Sequence, residues 1–256
     1  MNDSLLVLLP PSETKSDGGS RPFPGDARWP ELDPVRAEVR ADLVALAEGD
    51  PDAAAKALRI SPKLAGVELE RNRRLGSAPL KPAAERYTGV LFDALDAATL
   101  APAARAWLDG HVAIHSALHG LVGAGEPIEA YRCSHDSRLG GATLKRRWSA
   151  PIAAALDAHR GPVLDLRSKA YLALGPLPPG PERAWGDVVE RLPDGSTRSL
   201  NHFNKRAKGQ LVRRLAERCA DGARPASLAE VGALVADGFE FDEVGDGVMR
   251  IVALGA

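Results

Sequence analysis

Leu5 to Leu9 is an uninterrupted apolar run closed by Pro10-Pro11, the pattern of a strand buried on both faces. Ser12 to Pro34 follows, rich in Gly, Pro, Ser and charge, and reads as a loop long enough to suggest function. Val35 to Ala47 has helical apolar spacing. Ala53 to Arg59 and Val67 to Leu75 read as two short helices separated by residues 60–66, with the second starting near Lys63 to Gly66. Helices are expected at Leu91–Leu95 and Pro102–Leu108, and His111 to His115 fits a strand. Ala142 to His159 reads as a long helix between Gly140-Gly141 and Gly161-Pro162, followed by a buried strand from Pro162 to Leu166. Val188–Leu192 and Ser196–Leu200 flank Pro193-Asp194-Gly195, a hairpin signal. Lys205 to Cys219 is a helix, Ser227 caps another through Val235, and Gly238–Val244 with Val248–Leu254 form a last hairpin. Strands and helices alternate loosely and hairpins come late. The expected fold is therefore α/β with α+β character, a single domain over residues 1–256 around a mixed sheet.

The net charge of −1 seems to exclude a basic nucleic-acid binder. Its distribution reverses that inference. Residues 1–55 carry a net −6, residues 56–137 +1, residues 138–214 +9 and residues 215–256 −5. Exposed charges act over about 10 Å at ordinary salt, so segregation matters more than the total. Arg outnumbers Lys 25 to 8 in a chain rich in Ala, Gly and Pro, a codon bias that discounts the Arg excess. Aromatics make up only 5%, leaving little for stacking on bases. Cys133 and Cys219 stand far apart and make no zinc or disulfide pattern. No apolar run is long enough for a membrane helix, and the start lacks a basic leader. A cytoplasmic protein without membrane contact is expected.

Four segments carry candidate chemistry. The helical pair at about 53–75 holds Lys56, Arg59, Lys63, Arg71, Arg73 and Arg74, against Glu68 and Glu70, and resembles a helix-hairpin-helix. Such a turn can aim backbone N–H groups at a phosphate, although here the usual Gly-x-Gly is reduced to Gly66. Lys205, Arg206 and Lys208 lie at an expected helix start, where cations oppose the helix dipole and an anionic ligand would offset the cost. Arg167, Ser168, Lys169 and Tyr171 follow a buried strand. Lys15 follows the first strand, and strand exits are the usual place for a site in α/β proteins. These five form a candidate pocket for a small-molecule ligand. Solvated helix surfaces explain the basic segments equally simply. His111, His115 and His119, at i, i+4, i+8, would share a helix face, with Cys133 and His135 beyond them. Gly110, Val112 and Ile114 fit a strand equally well, and ordinary partly buried histidines are the simpler reading, so no metal or cofactor is expected, and direct iron binding is the weakest reading.

Six pieces, in order, resemble the YaaA peroxide-stress family. They are Leu-Leu-Pro-Pro-Ser-Glu-Thr-Lys at 8–15, Arg-Ile-Ser-Pro-Lys-Leu-Ala-Gly at 59–66, and Tyr87-Thr88-Gly89. Ser116-Ala117-Leu118-His119-Gly120-Leu121 with Ala130-Tyr131-Arg132 is the fourth. Leu166-Arg167-Ser168 with Tyr171, and Lys205-Arg206-Ala207-Lys208-Gly209, complete the set. His119 stands where the family usually has Tyr, and Cys133 to Ser137 replaces a more acidic-apolar stretch. The resemblance implies a helix-hairpin-helix element in a basic cleft. It also implies binding to duplex DNA, distorted duplexes included, and a role in limiting oxidative damage linked to intracellular iron. On that reading the protein is not an enzyme. The alternative is an enzyme acting on a nucleobase, nucleotide or damaged DNA, in which a lysine of depressed pKa attacks an abasic sugar.

Overall fold

A computed structural model of the chain describes residues 3–20, 28–192, 197–198 and 201–254. The first apolar run becomes β1 (Leu6–Leu9), buried at every position, which makes it the centre of a sheet rather than an edge. The chain then builds α1 (Asp33–Glu48), α2 (Pro51–Leu58), α3 (Pro62–Arg73), β2 (Lys81–Pro82), α4 (Ala83–Arg86), α5 (Val90–Leu95) and α6 (Pro102–His111). Next come β3 (Val112–Ser116), β4 (Gly120–Gly123), β5 (Pro127–Ile128), β6 (Arg138–Leu139), β7 (Ala142–Thr143) and α7 (Leu144–Asp157). The remainder is β8 (Val163–Asp165), α8 (Lys169–Leu174), β9 (Arg183–Arg191), β10 (Thr197–Arg198), α9 (Asn201–Cys219), α10 (Leu228–Leu234), β11 (Phe239–Gly245) and β12 (Val248–Ala253).

The main sheet has the order β11-β12-β9-β8-β1-β3-β4, with β10 paired to β9. β12, β9, β8, β1 and β3 run parallel, and β11 and β4 close the two sides antiparallel. The carboxyl ends of five strands therefore share one edge. The chain leaves β1 first toward β3 and later returns to its other side as β8. That reversal makes β1 the switch point, where side chains from both halves meet. The fold is the α/β mixed-sheet arrangement expected from the sequence.

Several boundaries differ from the sequence expectations. α3 begins at Pro62, so the turn after α2 is only Arg59-Ile60-Ser61. Proline suits a first helical turn, and Gly66 sits inside the helix rather than in the turn. Arg59 takes the left-handed conformation (φ 53°) that a glycine would normally supply. α9 begins at Asn201, which puts Lys205, Arg206 and Lys208 in its second turn. The dipole penalty fades past the first turn and does not mark this segment as an anion site. Ala142–Thr143 is a short strand rather than the first turn of α7. His111 ends α6 while His115 lies in β3, so the helical histidine face does not form. The 188–200 hairpin is present as β9 against β10, though its turn lies outside the described residues. Ser227 caps α10, its Oγ accepting from the Glu230 N–H at 3.2 Å, and β11–β12 is the expected last hairpin.

α5 and α9 pack closely across Gly209, where a Cβ would press on the Leu91 carbonyl oxygen and sit 3.0 Å from the Leu95 nitrogen. Alanine favours a helix by about 1 kcal/mol over glycine. Backbone cannot yield as a side chain does, so the clash wins. Gly209→Ala is expected to destabilise the protein by about 1–3 kcal/mol. Urea unfolding measures this; an unchanged or raised midpoint would contradict the close crossing.

Candidate functional site

The loop leaving β1 is locked in place by a buried arginine. Arg86 donates from Nη1 to the Ser16 carbonyl (2.5 Å), from Nη2 to those of Gly18 and Pro79 (2.9 Å each), and from Nε to Ile128 (3.2 Å). The backbone adds bridges Lys15–Tyr87 and Ser20–Leu80. This turns Lys15 inward, and it is only 6% exposed. Its Nζ donates to the carbonyls of Ser12 (3.1 Å) and Glu13 (3.3 Å) and lies 4.0 Å from the centre of the Tyr131 ring and 5.3 Å from that of Tyr87. Burial, reinforced by the nearby Arg132 guanidinium, brings the amine down to about 7.

Below Lys15 runs a chain of hydroxyls. Tyr87 Oη meets Tyr131 Oη at 2.7 Å, and Tyr131 Oη meets Ser116 Oγ at 2.7 Å. Ser116, at the end of β3, accepts from the N–H groups of Leu118 (3.1 Å) and His119 (2.9 Å). With both lone pairs used, its proton points to Tyr131, that of Tyr131 points to Tyr87, and the Tyr87 proton has no acceptor among the described residues. Burial pushes Tyr87 up to about 12 and Tyr131 well above the usual range, so both stay protonated at neutral pH. His119, in the place of the family's usual Tyr, sets its ring edge-on to Tyr131 at 5.5 Å.

At the end of β8, Asp165 and Arg167 are both fully buried and paired. Arg167 Nε lies 2.8 and 3.0 Å from the two carboxylate oxygens, and Nη2 lies 2.5 Å from Oδ2. Arg167 Nη1 donates to His115 Nδ1 at 2.9 Å. An arginine can only donate, so His115 is neutral with its proton on Nε2, an atom that finds no partner among the described residues. Tyr171 packs between His115 (5.2 Å) and His135 (5.7 Å). Lys15, Arg167 and Tyr171 thus converge through Tyr131, Ser116 and His115. Arg167 is spent on its own carboxylate and positions the cluster rather than facing a ligand. Ser168 and Lys169 are exposed, with Lys169 Nζ 5.4 Å from the centre of the Trp185 ring.

The α2–α3 hairpin is tied to the same loops. Asn72 exchanges hydrogen bonds with the Arg132 backbone (2.9 and 2.8 Å), and Arg132 pairs with Glu13. Arg59 pairs with Asp136 beside His135, and Arg71 with Asp17 and Glu68. Arg73 lies 3.6 Å from Glu70. Lys56, Lys63 and Arg74 are exposed and make no ion pair among the described residues. Lys205 and Arg206 are exposed on α9. Lys208 is buried, held down to about 8 by desolvation against the pull of Asp165 and Asp187. No group of three or more His, Cys, Asp or Glu among the described residues could hold a metal ion, so the histidine–cysteine iron site is not built.

Sequence reading missed Tyr87, Tyr131, Ser116 and Asp165 as members of this cluster. A signal was present, since the chain has only three tyrosines and all three meet here.

Removing the Arg167 guanidinium takes away the ion pair of buried Asp165 and leaves it the backbone N–H of residue 167 (3.0 Å) and the attraction of Lys208, so Arg167→Ala is expected to cost about 3–5 kcal/mol. A loss under about 1 kcal/mol in urea unfolding would show that the pair is hydrated. Burial also holds His119 down to about 3 and His115 well below 6.5. Unfolded histidines bind protons below about 6.5 while these do not, so stability falls as pH drops. The slope is about 1.4 kcal/mol per pH unit for each histidine. Urea midpoints between pH 7 and 5 measure it; a flat profile would contradict neutral burial.

The sequence profile described as Peroxide stress protein YaaA matches residues 5–244. A UPF0246 protein of Corynebacterium efficiens is 42% identical over 239 residues, covering 89% of this chain and 91% of the relative. One of Streptomyces coelicolor is 40% identical, covering 93% and 92%. A more distant UPF0246 protein of Delftia acidovorans is 27% identical over 97% of both chains. No helix among the described residues is long and apolar enough to cross a membrane. With the match spanning nearly the whole chain, including every strand exit that builds the site, the chain belongs to the YaaA peroxide stress protein family, also called UPF0246.

Proposed function

We propose that this peroxide stress protein binds duplex DNA, distorted duplexes included, across the α2–α3 hairpin, and by doing so limits oxidative damage linked to intracellular iron. The reading treats the hairpin as a helix-hairpin-helix element. The observation that carries it is the coupling of exposed hairpin cations to the buried strand-exit cluster. Lys56, Arg59, Lys63, Arg73 and Arg74 are exposed on a hairpin that Asn72 and Arg59 tie to the loop packed over Tyr131 and Tyr171. Lys56, Lys63 and Arg74 make no ion pair among the described residues that a phosphate would first have to break. Lys205 and Arg206 add positive charge from the second turn of α9. Binding is directed at the backbone, since no exposed aromatic row among the described residues offers base stacking.

A second reading rests on Lys15 itself. A near-neutral buried amine beside ordered hydroxyls is the equipment of an enzyme acting on a nucleobase, nucleotide or damaged DNA.

The test of the first reading is a salt series with a labelled duplex. Log K is expected to fall with log salt by about 0.9 for each phosphate contacted. Lys56→Ala and Lys63→Ala should each weaken binding equally on all sequences and lower the slope by about 1. A flat salt dependence, or absence of binding at low salt, would overturn it.

A further inference from the structure

We propose that a recess beside α3 receives one nucleotide unstacked from its neighbours, with its base against Val67 and Gly66 and its flanking phosphates on Lys63 and Arg74. This deepens the DNA reading and rests on it for the source of the nucleotide.

A cavity of about 500 Å³ lies between α3 and the chain at Asp17-Gly18 and Ala78-Pro79. Pockets for small organic ligands run from roughly 300 to 1,000 Å³, so one nucleotide fits. Val67, Ala78 and Pro79 give the recess apolar walls. Val67 is 59% exposed, and Leu64, one turn earlier on the same side of α3, is 49% exposed. Two large apolar side chains thus face water side by side at the rim of a cavity, the mark of a surface that meets a partner. Gly66 is an independent sign. Glycine weakens a helix interior relative to alanine, and close packing is the usual reason for it. Gly209 and Gly232 have that reason, since a Cβ would press on the Leu91 carbonyl or lie 3.1 Å from Phe241. At Gly66 a Cβ would meet nothing within 4 Å. What the missing side chain leaves is room at the wall of the recess.

Charge decides the occupant. Three arginines line the recess, Arg71, Arg74 and Arg86, against two carboxylates, Asp17 and Glu70. Asp17 is paired with Arg71, and Glu70 lies 3.6 Å from Arg73, so both acids are already matched by cations. Lys63, Val67, Glu70 and Arg74 recur at i, i+4, i+7 and i+11 and share one helix face. Exposed Lys63 and Arg74 stand at the two ends of that face, with Val67 between them. An uncharged apolar ligand would leave both cations unused. A base with a phosphate on each side uses both, and its flat face matches Val67. The larger cavity of about 720 Å³ between α10 and the β11–β12 hairpin is lined by Glu182, Glu240, Asp242 and Glu243, which repel phosphate. Unstacking a base costs least where a duplex is already bulged or mismatched, so the recess selects distorted DNA. A free nucleotide carries the same base and phosphate, and the chemistry of the recess is the same for both.

The experiment uses the full chain and 2-aminopurine, a base whose emission is quenched by stacking. Three probes are compared: a duplex with one bulged 2-aminopurine, the fully paired duplex with 2-aminopurine opposite thymine, and the free 2-aminopurine deoxyribonucleoside monophosphate. Anisotropy gives each Kd, and emission reports unstacking. The bulged duplex is expected to bind at least about tenfold more tightly than the paired one, with emission rising on binding. Gly66→Leu fills the recess with a good helix former. It should abolish that preference, leave the urea midpoint unchanged or higher, and keep binding to the paired duplex within about twofold, because the phosphate contacts remain. Val67→Ala, which keeps the helix and fills nothing, should cut the preference by about threefold or more. Binding by the bulged duplex that Gly66→Leu abolishes assigns the nucleotide to DNA; the same behaviour of the monophosphate alone assigns it to a small molecule and overturns only the DNA reading. Equal binding of the two duplexes with none of the monophosphate, or a bulge preference that both variants retain, overturns this inference and leaves the DNA reading standing. Binding of no probe overturns both. Sedimentation at twice the mass of the chain that Gly66→Leu reduces to one chain would put a second copy in the recess and also overturn it.

Discussion

A carboxylate and a guanidinium cannot be buried at the end of a parallel strand unless each completes the other. Asp165 and Arg167 do this at the close of β8, with no exposure to solvent. The geometry is bidentate, so the pair also fixes direction. Arg167 has one nitrogen left, and it goes to His115 on β3, across β1. Breaking the pair would strand a charge in low dielectric, which costs far more than the pair itself contributes. Its value lies in orientation. It sets the His115 tautomer, and His115 in turn packs on Tyr171. The carboxyl edge of the sheet is thereby a fixed surface on which the loops after β1, β3 and β8 must assemble.

The second constraint acts on the loop after β1. Arg86 satisfies the carbonyls of Ser16, Gly18 and Pro79, and without it those groups would lie unpaired under a covering loop. This arrangement holds the Lys15 amine out of water and over two phenol rings. Asn72 and the Arg59–Asp136 pair then couple the α2–α3 hairpin to the loop above Tyr131 and Tyr171. A ligand held by the hairpin is consequently held next to the buried amine. Charge segregation in the sequence matters here because the acidic segments serve partly as partners: Asp17 and Glu13 neutralise Arg71 and Arg132 beside the site.

Much of this was legible in the sequence where the signal is local. The run Leu5–Leu9, the Ser227 cap and the closing hairpin depend on neighbours within a few residues, and each is present. The strand-exit rule drew attention to Lys15, Arg167 and Tyr171, which the fold brings together. Errors arose where one residue type carried two meanings. Gly66 looked like a turn residue but is tolerated inside α3, while Ser61-Pro62 already carried the helix-start signal. Asn201-His202-Phe203 lacks apolar spacing, so α9 seemed to start at Lys205. Lys208 looked like a surface cation because its neighbours are basic, yet the helix turns it inward. Tyr87, Tyr131 and Ser116 touch only through separations of 15 and 44 residues, which no periodicity reports.

The central claim is that burial brings the Lys15 amine down to about 7 beneath loops that are tied to the α2–α3 hairpin. An NMR titration of the Lys15 side chain, with and without duplex DNA, tests it most directly. The account requires a midpoint near 7 and a resonance that moves when DNA binds. A midpoint near 10.5 together with a resonance indifferent to DNA would contradict it.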